Sequence, residues 1–87
     1  MYQIQFSPRA LKGIKRLPRN VAEAIVAELE AIADDPHGKH AGVRPLRHEL
    51  KGKYRLHWVG FRPIFELWRK DATLFVIDVL SRGRAYD

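Results

Sequence analysis

The chain has 87 residues, 46% of them hydrophobic, enough for one small domain spanning 1–87 with a modest core. It contains no cysteine. That excludes disulfides, thiol nucleophiles and thiolate metal sites, and leaves histidine, tyrosine, lysine, arginine and carboxylates to carry any chemistry. The net charge of +6 sits in the second half, where residues 44–87 hold 10 of the 16 Lys/Arg but only half of the acids. Such an imbalance points to a polyanionic partner, nucleic acid first and an acidic protein second. There is no run of about 18 apolar residues and no basic-then-apolar leader, so no membrane contact and a cytoplasmic location are expected.

In chain order, Tyr2 to Phe6 alternates polar and apolar residues and is bounded by Ser7-Pro8. This predicts a short strand, then a helix cap with proline at the first helical position. The first helix is expected from Pro8 to about Leu17, with an apolar stripe of Leu11, Ile14 and Leu17 and with Arg9, Lys12, Lys15 and Arg16 on the solvated side. Pro18 breaks it. Asn20 and Glu23 then resemble a capping box opening a second helix through about Asp34, striped by Val21, Ile25, Leu29 and Ile32.

Asp34 to Gly42 is a polar loop by composition. His37 and His40 have the spacing of a metal-binding pair, but no third ligand is near, so a solvated loop is expected and no metal site. His48 falls in a bridging segment and reads as a surface residue. Further on, Arg69 to Ala72 is a turn, and Thr73 to Leu80 is an apolar, β-branched run expected to be an interior strand covered on both faces. Asp78 interrupts it, and is expected either at the strand's end in water or paired with a neighbouring arginine such as Arg62 or Arg82. A basic tail ending in Tyr86-Asp87 closes the chain.

The chemistry concentrates between Lys51 and Arg62. Tyr54, Leu56 and Trp58 alternate with Arg55 and His57, the period of a half-buried strand, and Val59-Gly60 can turn the chain into a second strand, Phe61 to Trp68. Tyr54 and Trp58 share the apolar face with Leu56 and read as core. Arg55 and His57 project together from the other face, and the hairpin brings Arg62 towards them. The predicted fold is therefore α+β, in the order β-α-α-β-β-β, with a helical hairpin on one face of a small, mostly antiparallel sheet.

A strand, a Lys/Arg-rich helical hairpin, Leu46-x3-Leu50-x3-Tyr54-Arg55-Leu56, Gly60-Phe61-Arg62 and a terminal Arg82-x3-Tyr86 follow one another over nearly the whole chain. In this order they resemble the RelE/ParE superfamily of bacterial type II toxins. The resemblance implies, in the RelE branch, an endoribonuclease that needs no metal or other cofactor, cleaves mRNA in the ribosomal A site and is silenced by an antitoxin, RelB-like or other. It further implies a toxin–antitoxin complex able to bind operator DNA. In the ParE branch the implied target is DNA gyrase, with no nuclease activity.

Carried over residue by residue, the two basic strand positions fall on Arg55 and His57, and the arginine of the next strand on Arg62. The arginine after the last strand falls on Arg82 and the late tyrosine on Tyr86. His57 stands where the best-known branch has lysine, and Pro63 follows Arg62 directly.

Attack by a ribose 2′-hydroxyl on the adjacent phosphate needs a base near neutral pH, cations for the phosphorane and an acid for the leaving oxygen. Histidine is the side chain whose ordinary titration suits the first task. Arg55, Arg62 and Arg82 suit the second, with Arg62 and Arg82 as a phosphate clamp, and Tyr86 can stack on a splayed base or act through its hydroxyl. Lys12, Lys15, Arg16, Lys51, Lys53 and Arg84 are the expected peripheral contacts to RNA or ribosome.

Overall fold

Strand β1 (Gln3–Phe6), helices α1 (Pro8–Lys15) and α2 (Arg19–Asp34), and strands β2 (Val43–Pro45), β3 (Lys53–Leu56), β4 (Phe61–Trp68) and β5 (Thr73–Ser81) follow one another in a computed structural model. It describes residues 1–47, 52–58 and 60–81. The strands form one sheet in the order β1-β5-β4-β3-β2, with β1 parallel to β5 and every other pair antiparallel. Both helices pack on one side. The predicted α+β class and the mostly antiparallel sheet are thus observed, with one strand more than expected: β2 lies between the segments read as loop and as bridge, at residues given no element.

The core joins Ala10, Ile25, Leu29, Ile32 and Ala33 of the helices to Leu56, Phe65, Leu74 and Val76 of the sheet. In α2 the predicted stripe is the buried one. In α1 it is displaced: Ala10 is fully buried whereas Leu11 is 43% exposed, so the packed side runs through Ala10, Ile14 and Leu17. Gly13 explains why. A Cβ there would lie 3.2 Å from the Cβ of Val79, so the bare glycine lets α1 settle against β5 and sets which side faces inward.

Ser7 fixes the start of α1 as expected, its Oγ accepting from the Ala10 amide at 2.9 Å. The same hydroxyl donates to the carbonyl of Ile77. That carbonyl belongs to an irregularity in β5, where Ile64 pairs with Asp78 but Phe65 pairs with Val76, leaving Ile77 as the extra residue. The capping box at Asn20 does not form: α2 begins at Arg19 with Pro18 at the cap and no side-chain cap bond. Arg19 and Glu23 instead make an i,i+4 ion pair at 3.0 Å.

β5 is an interior strand, as expected, between β1 and β4, but its second face is only half covered because both helices lie on the first. Pro63 is fully buried in β4 opposite Val79. It cannot donate to a neighbour, and the β3–β4 ladder ends at the Arg55–Ile64 pair just before it. Pairing resumes at Trp58 and Phe61, which exchange backbone bonds of 3.1 and 2.8 Å around Gly60 at φ +82°. Among the described residues no helix is long and apolar enough to cross a membrane.

Candidate functional site

β3 separates core from chemistry. Tyr54 stacks on Phe65 with ring centroids 5.6 Å apart and Leu56 is buried in the core, so Lys53 and Arg55 point away from the helices. The register then fixes their neighbours. Lys53 lies opposite Glu66, with its Nζ 3.4 Å from the carboxylate, and Arg55 lies opposite Ile64 on β4 and Arg44 on β2.

Arg44 was hidden from sequence reasoning because the three residues of β2 are too few to show an alternation. Its exposed side chain donates to the Val43 carbonyl at 3.3 Å. Two arginines thus stand side by side on adjacent strands, an arrangement that can hold an anion between them.

His57 stands one residue beyond β3 and is exposed. Its backbone amide donates to the Gly42 carbonyl at 2.7 Å, which extends the β2–β3 register by one step and places the imidazole on the side of Arg55. Gly42 is small for a reason: a Cβ there would meet the His57 carbonyl oxygen at 3.0 Å and Leu56 Cδ1 at 3.2 Å. The expected pairing of Arg55 and His57 on one face is what the backbone provides.

Arg62 departs from its expected place. Rather than standing exposed as a phosphate clamp it is 5% exposed, and its Nη1 donates to the carbonyls of Phe61 at 2.9 Å and Trp58 at 3.1 Å. The Trp58–Phe61 turn presents those two carbonyls to it, and a buried guanidinium bonded to them secures the end of the hairpin. Asp78 has an arginine partner, as one expectation held, but takes it from a helix. It meets Arg9 of α1 at 3.7 Å and accepts from the Val79 amide at 2.8 Å.

Lys12 and Arg16 are not gathered with Arg55. They line, with Arg9, a groove of about 770 Å³ between α1 and the end of β5, floored by Leu17, Phe61 and Val79. Lys15 is exposed on the same helix. Lys51, Arg82, Arg84, Tyr86 and His48 lie outside the described residues. The two loop histidines have other engagements: His37 Nε2 is 3.4 Å from the Tyr2 hydroxyl, and His40 Nε2 donates to the Asp35 carbonyl at 2.7 Å. Among the described residues no three His, Cys, Asp or Glu side chains gather as metal ligands.

Comparison with known proteins gives this geometry a family. Residues 4–86 match the family described as the ParE toxin of the type II toxin–antitoxin system parDE. A protein of Escherichia coli named for its likeness to the RelE toxin is 27% identical over 84 residues, 97% of this chain and 86% of that protein. The isolated RelE toxin of Escherichia coli superposes with a TM-score of 0.80 at 25% identity, covering 99% of this chain and 89% of that one.

The toxin–antitoxin complex RelBE2 of Mycobacterium tuberculosis gives 0.78 at 22% identity, over 93% of this chain and 98% of that one, and supports the fold alone. The chain therefore belongs to the ParE toxin family of type II toxin–antitoxin systems, within the RelE/ParE superfamily.

Proposed function

We propose that this toxin is a metal-independent endoribonuclease that cleaves mRNA in the ribosomal A site by activating the ribose 2′-hydroxyl. The observation that carries the reading is the exposed imidazole of His57, whose backbone is bonded to Gly42 two residues beyond Arg55, on the face where Arg55 stands opposite Arg44. In this reading His57 takes the 2′-proton as the 2′-oxygen attacks phosphorus, and the bond from phosphorus to the 5′-oxygen breaks. Arg55 and Arg82 stabilise the charge that develops on the phosphate, and Tyr86 stacks on a base or serves the leaving oxygen through its hydroxyl. Arg62 contributes by holding the turn that follows His57.

The partner proposed for silencing is an antitoxin, because the similar RelE of Escherichia coli has also been solved as an intact RelBE toxin–antitoxin complex, with a TM-score of 0.74 at 25% identity over 97% of this chain and 100% of that one. The proposed complex binds operator DNA. The second reading, a gyrase-binding toxin without nuclease activity, is favoured by the ParE description of the matching family and by the burial of Arg62. Induction in cells separates them. The proposed reading expects new mRNA 5′ ends within coding sequence and no gyrase-dependent DNA breaks, and breaks without new ends would overturn it.

Arg44 gives a second check. Arg44→Glu puts a negative charge beside the proposed phosphate site and should slow single-turnover cleavage. A variant that cuts at the wild-type rate would remove β2 from the site.

A further inference from the structure

At the end of the sheet away from His57, the face opposite the helices carries an aromatic pair. Trp68, the last residue of β4, and Phe75 of β5 stack with ring centroids 4.6 Å apart and planes inclined by 21°. Trp68 nonetheless remains 38% exposed. Its indole N–H donates to Glu66 at 3.4 Å, and Glu66 in turn holds Lys53 at 3.4 Å, so ring, carboxylate and ammonium are linked across two strands.

On the other flank β1 places two exposed amide side chains on the same face, Gln5 opposite Phe75 and Gln3 opposite Thr73. A cross-strand aromatic pair stabilises a hairpin whatever else it does. That role accounts for the stack, but not for an indole left partly open between amides and a cation.

We propose that Trp68 and Phe75 form a base-stacking subsite for single-stranded RNA. Sheets hold an unstacked base with this equipment: an aromatic face for the ring, amide groups for the base edges and a nearby cation for the phosphate. Phe75 lies two strands and two residues from Arg55, about 12 Å at the usual strand spacing and rise, so the subsite holds a nucleotide flanking the one that is cut. The inference rests on the proposed action on RNA. The net charge of +6 and the cations Lys53, Arg55 and Arg44 on this face favour a polyanion over an apolar protein segment as occupant.

The test is equilibrium binding of the full chain to a 2′-O-methyl RNA hexanucleotide. Trp68→Leu keeps apolar bulk and removes the ring, and should weaken binding about 10- to 100-fold. Trp68→Tyr restores an aromatic face and should bind nearly as wild type. An abasic substitution at one position of the oligonucleotide should weaken the wild-type protein but not Trp68→Leu, a result that loss of folding cannot imitate.

Equal affinity of wild type and Trp68→Leu would overturn the subsite, as would a wild-type chain with no affinity for the hexanucleotide. Loss of antitoxin affinity in Trp68→Leu, with RNA affinity intact, would also overturn it by assigning the face to a protein. Failure of the subsite is distinct from failure of the proposed cleavage, which is read independently by mapping mRNA ends after induction of the wild type.

Discussion

Replacing His57 with glutamine is expected to slow cleavage of ribosome-bound mRNA by about 10²–10⁴-fold, the usual worth of a positioned general base. Glutamine can donate and accept hydrogen bonds but cannot take up a proton near pH 7. The melting temperature should not move, because the imidazole is exposed and the His57 bond to Gly42 is made by the backbone amide. Antitoxin affinity should also persist. Single-turnover cleavage at the wild-type rate would remove His57 from the chemistry and leave the proton to Tyr86 or to solvent.

The second large effect concerns stability. Arg62→Ala and Arg62→Lys are both expected to cost about 2–4 kcal/mol, given that hydrogen bonds to a charged group contribute roughly 1.5–3 kcal/mol and that the two carbonyls keep only the backbone bonds they exchange. For a domain of this size that is on the order of 10–30 °C in melting temperature. Lysine is no remedy, since its compact ammonium on a flexible stem replaces a rigid planar group whose Nη1 reaches the carbonyls of Phe61 and Trp58 together. Calorimetry of the folded variants decides the matter. If both melt as wild type while cleavage falls, Arg62 serves the phosphate directly and leaves the turn when substrate binds.

Much of this architecture is legible because it rests on period. The alternation of Tyr54, Leu56, Arg55 and His57 separates core from cationic face, and the spacing of Ile25, Leu29 and Ile32 marks the buried side of α2. Where geometry depends on a partner distant in the chain, period says nothing. Leu11 fits a helical stripe as well as Ala10 does, and only the approach of Gly13 to Val79 selects Ala10.

Asp78 takes its ion pair from Arg9, on a helix that the chain leaves some sixty residues earlier. Arg62 sits at an alternating strand position that reads as surface, yet the hairpin carbonyls draw its guanidinium inward. Arg44 lies on a strand too short to announce itself, so the row it forms with Arg55 exists only in the register. Lys53, expected at the periphery, shares the face of Arg55 and is tied to Glu66.

The most direct test of the account is the chemistry of the cut. In single-turnover reactions on ribosomes programmed with a short mRNA, attack by the 2′-oxygen requires that hydroxyl and releases a fragment with a free 5′-hydroxyl. The wild-type toxin should therefore cut the all-ribose mRNA with a 5′-hydroxyl product and leave uncut an mRNA carrying a single 2′-deoxy residue at the scissile position. Cleavage of the deoxy substrate at the same rate, or 5′-phosphate ends from the ribose substrate, would contradict it.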